Sequence, residues 1–70
     1  MIEVFKTNVQ ERSQAERLLS VLRDRFPGYR INVDLHDCDK VLRIEGYQFA
    51  VASIVSLVHE QGFYCSVLDE

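Results

Sequence analysis

The densest set of groups able to do chemistry in this chain is four consecutive residues, His36-Asp37-Cys38-Asp39. A thiol and an imidazole two positions apart can act as a ligand pair for zinc or copper, completed by a carboxylate or by a second molecule. Cys38 and His36 are therefore the candidate metal ligands, for a Cu(I) or Zn ion. The same four residues also make an ordinary polar turn with an incidental cysteine. The other cysteine, Cys65, is separated from Cys38 by no zinc-ribbon or redox spacing. Its alternation with Phe63 and Val67 places it under the helices as a small apolar residue. His59, near the end of a predicted helix, is read as a surface residue beside the helix's negative end. No spacing suggests triad logic, and an enzyme is not expected.

The elements that must position these groups follow from periodicity. In residues 30–45, Ile31, Val33 and Leu35 alternate with Arg30, Asn32 and Asp34, and Leu42 and Ile44 alternate with Val41, Arg43 and Glu45. Two half-buried arms across a short polar break predict a β-hairpin, with residues 36–39 in its turn. Residues 2–7 predict a first strand, with Phe5 inside as the larger apolar group to remove from water. Ser13-Gln14-Ala15-Glu16 has the form of a capping box, and Asn8-Val9-Gln10-Glu11 offers a weaker copy. Ala15, Leu18, Leu19, Leu22 and Phe26 then repeat at helical spacing until Pro27-Gly28 stops the helix. Residues 47–61 predict a second helix that presents Val51, Ile54, Val55 and Val58 inward and is capped by Gly62. Residues 63–68 predict the last strand, followed by the acidic pair Asp69-Glu70.

The order βαββαβ predicts an α+β, ferredoxin-like sandwich, a four-stranded antiparallel sheet with two helices on one face. One core is expected to hold Phe5, Leu18, Leu19, Leu22, Ile31, Val33, Leu35, Leu42, Ile44, Val51, Ile54, Val58, Phe63, Cys65 and Val67. Each element crosses the domain once, so the first, third and fifth connections share an end. That end gathers residues 7–12, 36–39 and 61–62.

With this order, the hairpin phrase Val33-Asp34-Leu35 followed by Leu42-Arg43-Ile44-Glu45, and the ending Gly62-Phe63-Tyr64-Cys65-Ser66-Val67-Leu68, nearly the whole chain resembles the heavy-metal-associated domain of small copper chaperones and transporting ATPases. The resemblance implies the ferredoxin-like fold and a metal-handling ancestry. The family's Met-x-Cys-x-x-Cys site lies in the connection after the first strand. This chain has Lys6-Thr7-Asn8-Val9-Gln10-Glu11-Arg12 there, without a thiol. Val9 could supply the buried contact that the family's Met makes. The resemblance therefore implies the fold with a degenerate site, metallochaperone-like in descent. Acylphosphatase-type enzymes use the same fold to bind an anion at the first helix, where this chain places Asn8, Gln10, Glu11 and Arg12. Their glycine-rich, arginine-bearing loop is absent here.

At 70 residues the chain suffices for one domain, residues 1–70, near the lower limit for folding without staples. A net charge of −3 with dispersed basic residues argues against a nucleic-acid partner. The outer sheet face would carry Val4, Val41, Tyr64 and Leu68 among Arg30, Asn32, Asp34, Arg43 and Ser66. RNA-recognition domains stack bases on aromatics there, but only Tyr64 is aromatic here. A protein partner or a weak homodimer suits that face better, and it is the basis of the second reading, a metal-free interaction module. The longest apolar-leaning window is too short to span a bilayer, and the first residues lack a signal-peptide pattern, so no membrane association and a cytoplasmic location are expected. In such a compartment the two cysteines are expected to be free thiols.

Overall fold

The computed structural model describes residues 1–68. The elements are β1 (Ile2–Thr7), α1 (Arg12–Arg25), β2 (Arg30–Asp34), β3 (Val41–Glu45), α2 (Val51–Glu60) and β4 (Cys65–Val67). The four strands form one antiparallel sheet in the order β2-β3-β1-β4. This is the ferredoxin-like arrangement that the element order predicts. The acidic pair Asp69-Glu70 lies outside the described residues.

The alternation within each strand sets the two faces of the sheet. Phe5 pairs with Leu42 on β3 and Val67 on β4, while Ile31 pairs with Ile44. Phe5, Ile31, Leu42 and Ile44 meet Ala15, Leu18 and Leu22 of α1 and Ile54, Leu57 and Val58 of α2 in one buried cluster. Phe5, Leu18, Leu22, Leu42, Ile44, Ile54 and Val58 are wholly removed from water. Each such side chain stabilises the fold by about 1.5–3 kcal/mol relative to exposure. Leu19, Val33, Leu35, Val51 and Phe63 are half-buried at the margin of the core. Three core members, Val9, Ala15 and Leu57, stand outside the expected set, and Val67 is 39% exposed although it was expected inside. Val67 sits on an edge strand that has a neighbour on one side only.

Several boundaries differ from the periodicity. The first helix begins at Arg12 with Glu11 as its N-cap, so Ser13 lies inside the first turn instead of capping it. Gln14 is the reason: its Oε1 accepts from the amides of both Gln10 and Glu11 at 3.1 Å, satisfying them before Ser13 is reached. The second helix begins at Val51, four residues later than expected. Residues 47–50 are held off helical geometry by Tyr29, whose hydroxyl donates to the Gln48 carbonyl and whose ring packs against Phe49. Ala50 is extended, with φ −88° and ψ 121°. At its other end the helix closes on Gly62, whose φ of +90° is costly for any residue with a Cβ. The amide of Gly62 donates to the His59 carbonyl at 2.9 Å and that of Phe63 to Val58 at 3.2 Å. The last strand is shorter than expected, Cys65–Val67, because Phe63 is still engaged in that turn.

Candidate functional site

The three connections expected to share one end do meet there. The amide of Thr7, at the end of β1, donates to the carbonyl of Asp39 at 3.1 Å. The Thr7 hydroxyl donates to the Lys40 carbonyl at 2.5 Å and accepts from the amide of Val9 at 3.3 Å. Asn8 Oδ1 accepts from the amide of Tyr64 at 2.8 Å, which ties the same connection to the start of β4. Thr7 is a buried polar residue among apolar neighbours, and both partners of its hydroxyl are backbone groups.

This bonding decides whether the connection after β1 can hold the metal that the family resemblance implies. Val9 is fully buried, as the family's Met contact would require. Thr7 and Asn8 are committed to backbone partners, and the amides of Gln10 and Glu11 to the side chain of Gln14. No thiolate is present there, and the Gln10 and Glu11 amides at the helix start are already used. The connection does not fit a soft cation.

The hairpin turn carries the remaining chemistry. One ligand atom each from Asp37, Cys38 and Asp39 lies within 4.8 Å of the others, with Asp37 and Cys38 exposed. The turn is held from inside. The amide of Asp39 donates to Asp37 Oδ1 at 2.8 Å, and that of Lys40 to the Asp37 carbonyl at 3.0 Å. Lys40 adopts φ +48°, the left-handed region, at a cost of about 1–2 kcal/mol for a residue with a Cβ. Its ammonium donates to the Leu35 carbonyl at 2.9 Å and so closes residues 35–40 into a loop. A second cation stands nearby: Lys6 Nζ lies 3.7 Å from Asp39 Oδ1. At that separation, in solvent, the pair contributes at most about 1 kcal/mol.

His36 stands outside that three-residue cluster. Its amide donates to Asp34 Oδ1 at 3.0 Å, and the residue lines a groove of about 300 Å³ with Arg12, Ala15, Glu16, Leu19, Val33, Asp34 and Leu35. The group that accompanies Cys38 is thus the pair of aspartates, both within the phrase that drew attention in the sequence. Lys6 was not recognisable as part of this site, because its approach to Asp39 depends on the register between β1 and β3.

Both cysteines are free. Cys65 is 3% exposed, and burial pushes its thiol from the ordinary 9.0 up to about 11. It remains protonated at neutral pH and behaves as a core residue. His59 lies exposed in the last turn of α2, where a cation suits the helix terminus.

The four residues expected on the outer face, Val4, Val41, Tyr64 and Leu68, belong to the open side of the sheet. Val4 pairs with Arg43, and on its other side the register continues to Leu68, whose amide donates to the Val4 carbonyl at 2.9 Å. Val4, Val41 and Leu68 are half-buried, and Tyr64 is exposed with its hydroxyl donating to Ser66 Oγ at 3.1 Å. Ile2, 52% exposed on the same face, extends the apolar stripe. Its place there follows from the same alternation that marked Val4. Among the described residues no helix is long and apolar enough to cross a membrane. Comparison with family models, curated proteins and solved structures gives no match.

Proposed function

We propose that the chain is a small non-catalytic module of the heavy-metal-associated type, with a degenerate site that takes a divalent transition ion weakly at its hairpin turn. The observation that carries this reading is the convergence of Asp37, Cys38 and Asp39 within 4.8 Å. One thiolate and two carboxylates suit zinc better than Cu(I), which favours several soft sulfur ligands. Water or a group from a second molecule would fill the fourth position. Binding is weak for two reasons. A structural zinc site uses four protein ligands, and the Lys6 ammonium competes for Asp39. It is also pH-dependent, since the thiol must lose its proton to coordinate. The test is titration of the reduced protein with Zn²⁺ and with Cu(I), following the backbone amide signals of residues 36–40. If neither ion moves them at micromolar concentration, the metal reading fails.

A second reading rests on a separate observation, the direct pairing of Val4 with Leu68 beside the exposed Ile2 and Tyr64. On this reading the chain is a metal-free interaction module that receives a protein partner or a weakly bound second copy on its open sheet face. Val41→Glu places a charge on that open face and should abolish the association without affecting the core. Unchanged association in Val41→Glu would exclude the face.

A further inference from the structure

The free edge of β2 is complementary to itself. Bonding in an antiparallel sheet alternates sides residue by residue. Met1 and Gly46 exchange both of their backbone bonds, at 2.8 and 2.9 Å, so Leu42 and Ile44 turn their backbone groups towards β1. Val41, Arg43 and Glu45 must then bond to Asp34, Asn32 and Arg30, leaving the backbone groups of Ile31 and Val33 facing outward. The Ile31 carbonyl confirms this sense, because it accepts from Arg23 Nη2 of α1 at 3.3 Å.

We propose that a second copy of this chain docks on that edge, β2 against β2, antiparallel and centred on Asn32, to give a continuous eight-stranded sheet. In this register Arg30 of each copy stands opposite Asp34 of the other, Ile31 opposite Val33, and Asn32 opposite Asn32 on the two-fold axis. Both ion pairs arise from one five-residue sequence, Arg30-Ile31-Asn32-Val33-Asp34, and among the described residues Arg30 has no ion-pair partner within its own chain. Ile31 and Val33 supply four main-chain hydrogen bonds, the usual source of affinity in strand addition.

The groove beside this edge provides additional surface. Its apolar lining of Ala15, Leu19, Val33 and Leu35 is open along β2, and Glu16 stands at its rim. The two-fold axis sets the helices α1 antiparallel. The C-terminal half of one, which carries Arg23, comes over the groove of the other. Arg23 is the counterweight, since in the free chain it covers the Ile31 carbonyl, as natural edge strands are often guarded by cations. Dimerisation must displace it, so the association is weak and concentration-dependent. Among the described residues, the opposite edge offers the three residues of β4, Cys65–Val67, none of them charged. In the proposed dimer the two Cys38 thiols lie at opposite ends of the paired strands, so the dimer does not depend on the metal reading.

The experiment is sedimentation equilibrium of the full chain with Arg30→Asp, Asp34→Arg and the double exchange, together with amide hydrogen exchange over a concentration series. Each single change places like charges across both pairs and should weaken the dimer about tenfold or more, while the double exchange restores it to within about threefold. The amides of Ile31 and Val33 should exchange more slowly as concentration rises. Asp34 also accepts from the amide of His36, so if Asp34→Arg disturbs the fold, Arg30→Asp and the exchange data decide. A chain that is monomeric at millimolar concentration, or a dimer unaffected by Arg30→Asp with Ile31 and Val33 exchange independent of concentration, overturns the proposal.

Discussion

Thr7 and Lys40, 33 positions apart, are joined by a hydrogen bond from the Thr7 hydroxyl to the Lys40 carbonyl, and the same hydroxyl accepts from the buried amide of Val9. One side chain therefore fastens the end of β1 to the strained residue that closes the hairpin turn. Thr7→Val keeps the shape and removes both bonds. It should cost about 1–3 kcal/mol, mainly because the Val9 amide is left without a partner in the core. Urea unfolding of the variant measures the loss. Its hairpin-turn amides should also exchange faster than those of the parent.

At the opposite end of the sandwich, a Cβ added at Gly46 would stand 2.5 Å from Cδ2 of Tyr29. The ring cannot easily give way. It packs between Phe26 and Phe49, with centroids 5.7 and 5.8 Å away, and its hydroxyl is bonded to the Gln48 carbonyl. Gly46 does not have a positive φ, so only space requires glycine there. Gly46→Ala should destabilise by about 1–3 kcal/mol through overpacking. In a Tyr29→Ala background the same change should be nearly neutral, and a double-mutant cycle reads the difference.

Cys65 links burial to a pH dependence. Its folded thiol titrates near 11 against an ordinary 9.0, so the folded state holds the proton more tightly than the unfolded state. The contribution is fully present below pH 9 and is lost as pH rises towards 11, by about 2–3 kcal/mol in all. The difference in unfolding free energy between the parent and Cys65→Ala should narrow across that interval. It should stay constant between pH 6 and 8.

The strands that alternate were legible in the sequence, because one face is buried and the period of two has a single solution in Ile31-Val33 and Leu42-Ile44. The elements that misled did so where tertiary contacts outweigh local pattern. Residues 47–50 have no strong breaker beyond Gly46, and it is Tyr29, 19 positions away from Gln48, that keeps them out of the helix through its hydroxyl and its ring against Phe49. Ser13-x-x-Glu16 and Glu11-x-x-Gln14 compete for the same N-terminus, and the side chain of Gln14 decides between them. For the candidate site, composition marked Cys38 and its neighbours, but not which of them share its side. His36 faces the groove beside α1, while Lys6 reaches the turn through strand register.

The most direct measurement is a Zn²⁺ titration of the reduced protein and of Cys38→Ser, with amide spectra of both. The predicted result is a pH-dependent shift of the signals from residues 36–40 in the parent, weaker below neutral pH and strongly reduced in Cys38→Ser. Binding of unchanged affinity in Cys38→Ser, or no shift in the parent, would contradict a metal site built on Asp37, Cys38 and Asp39.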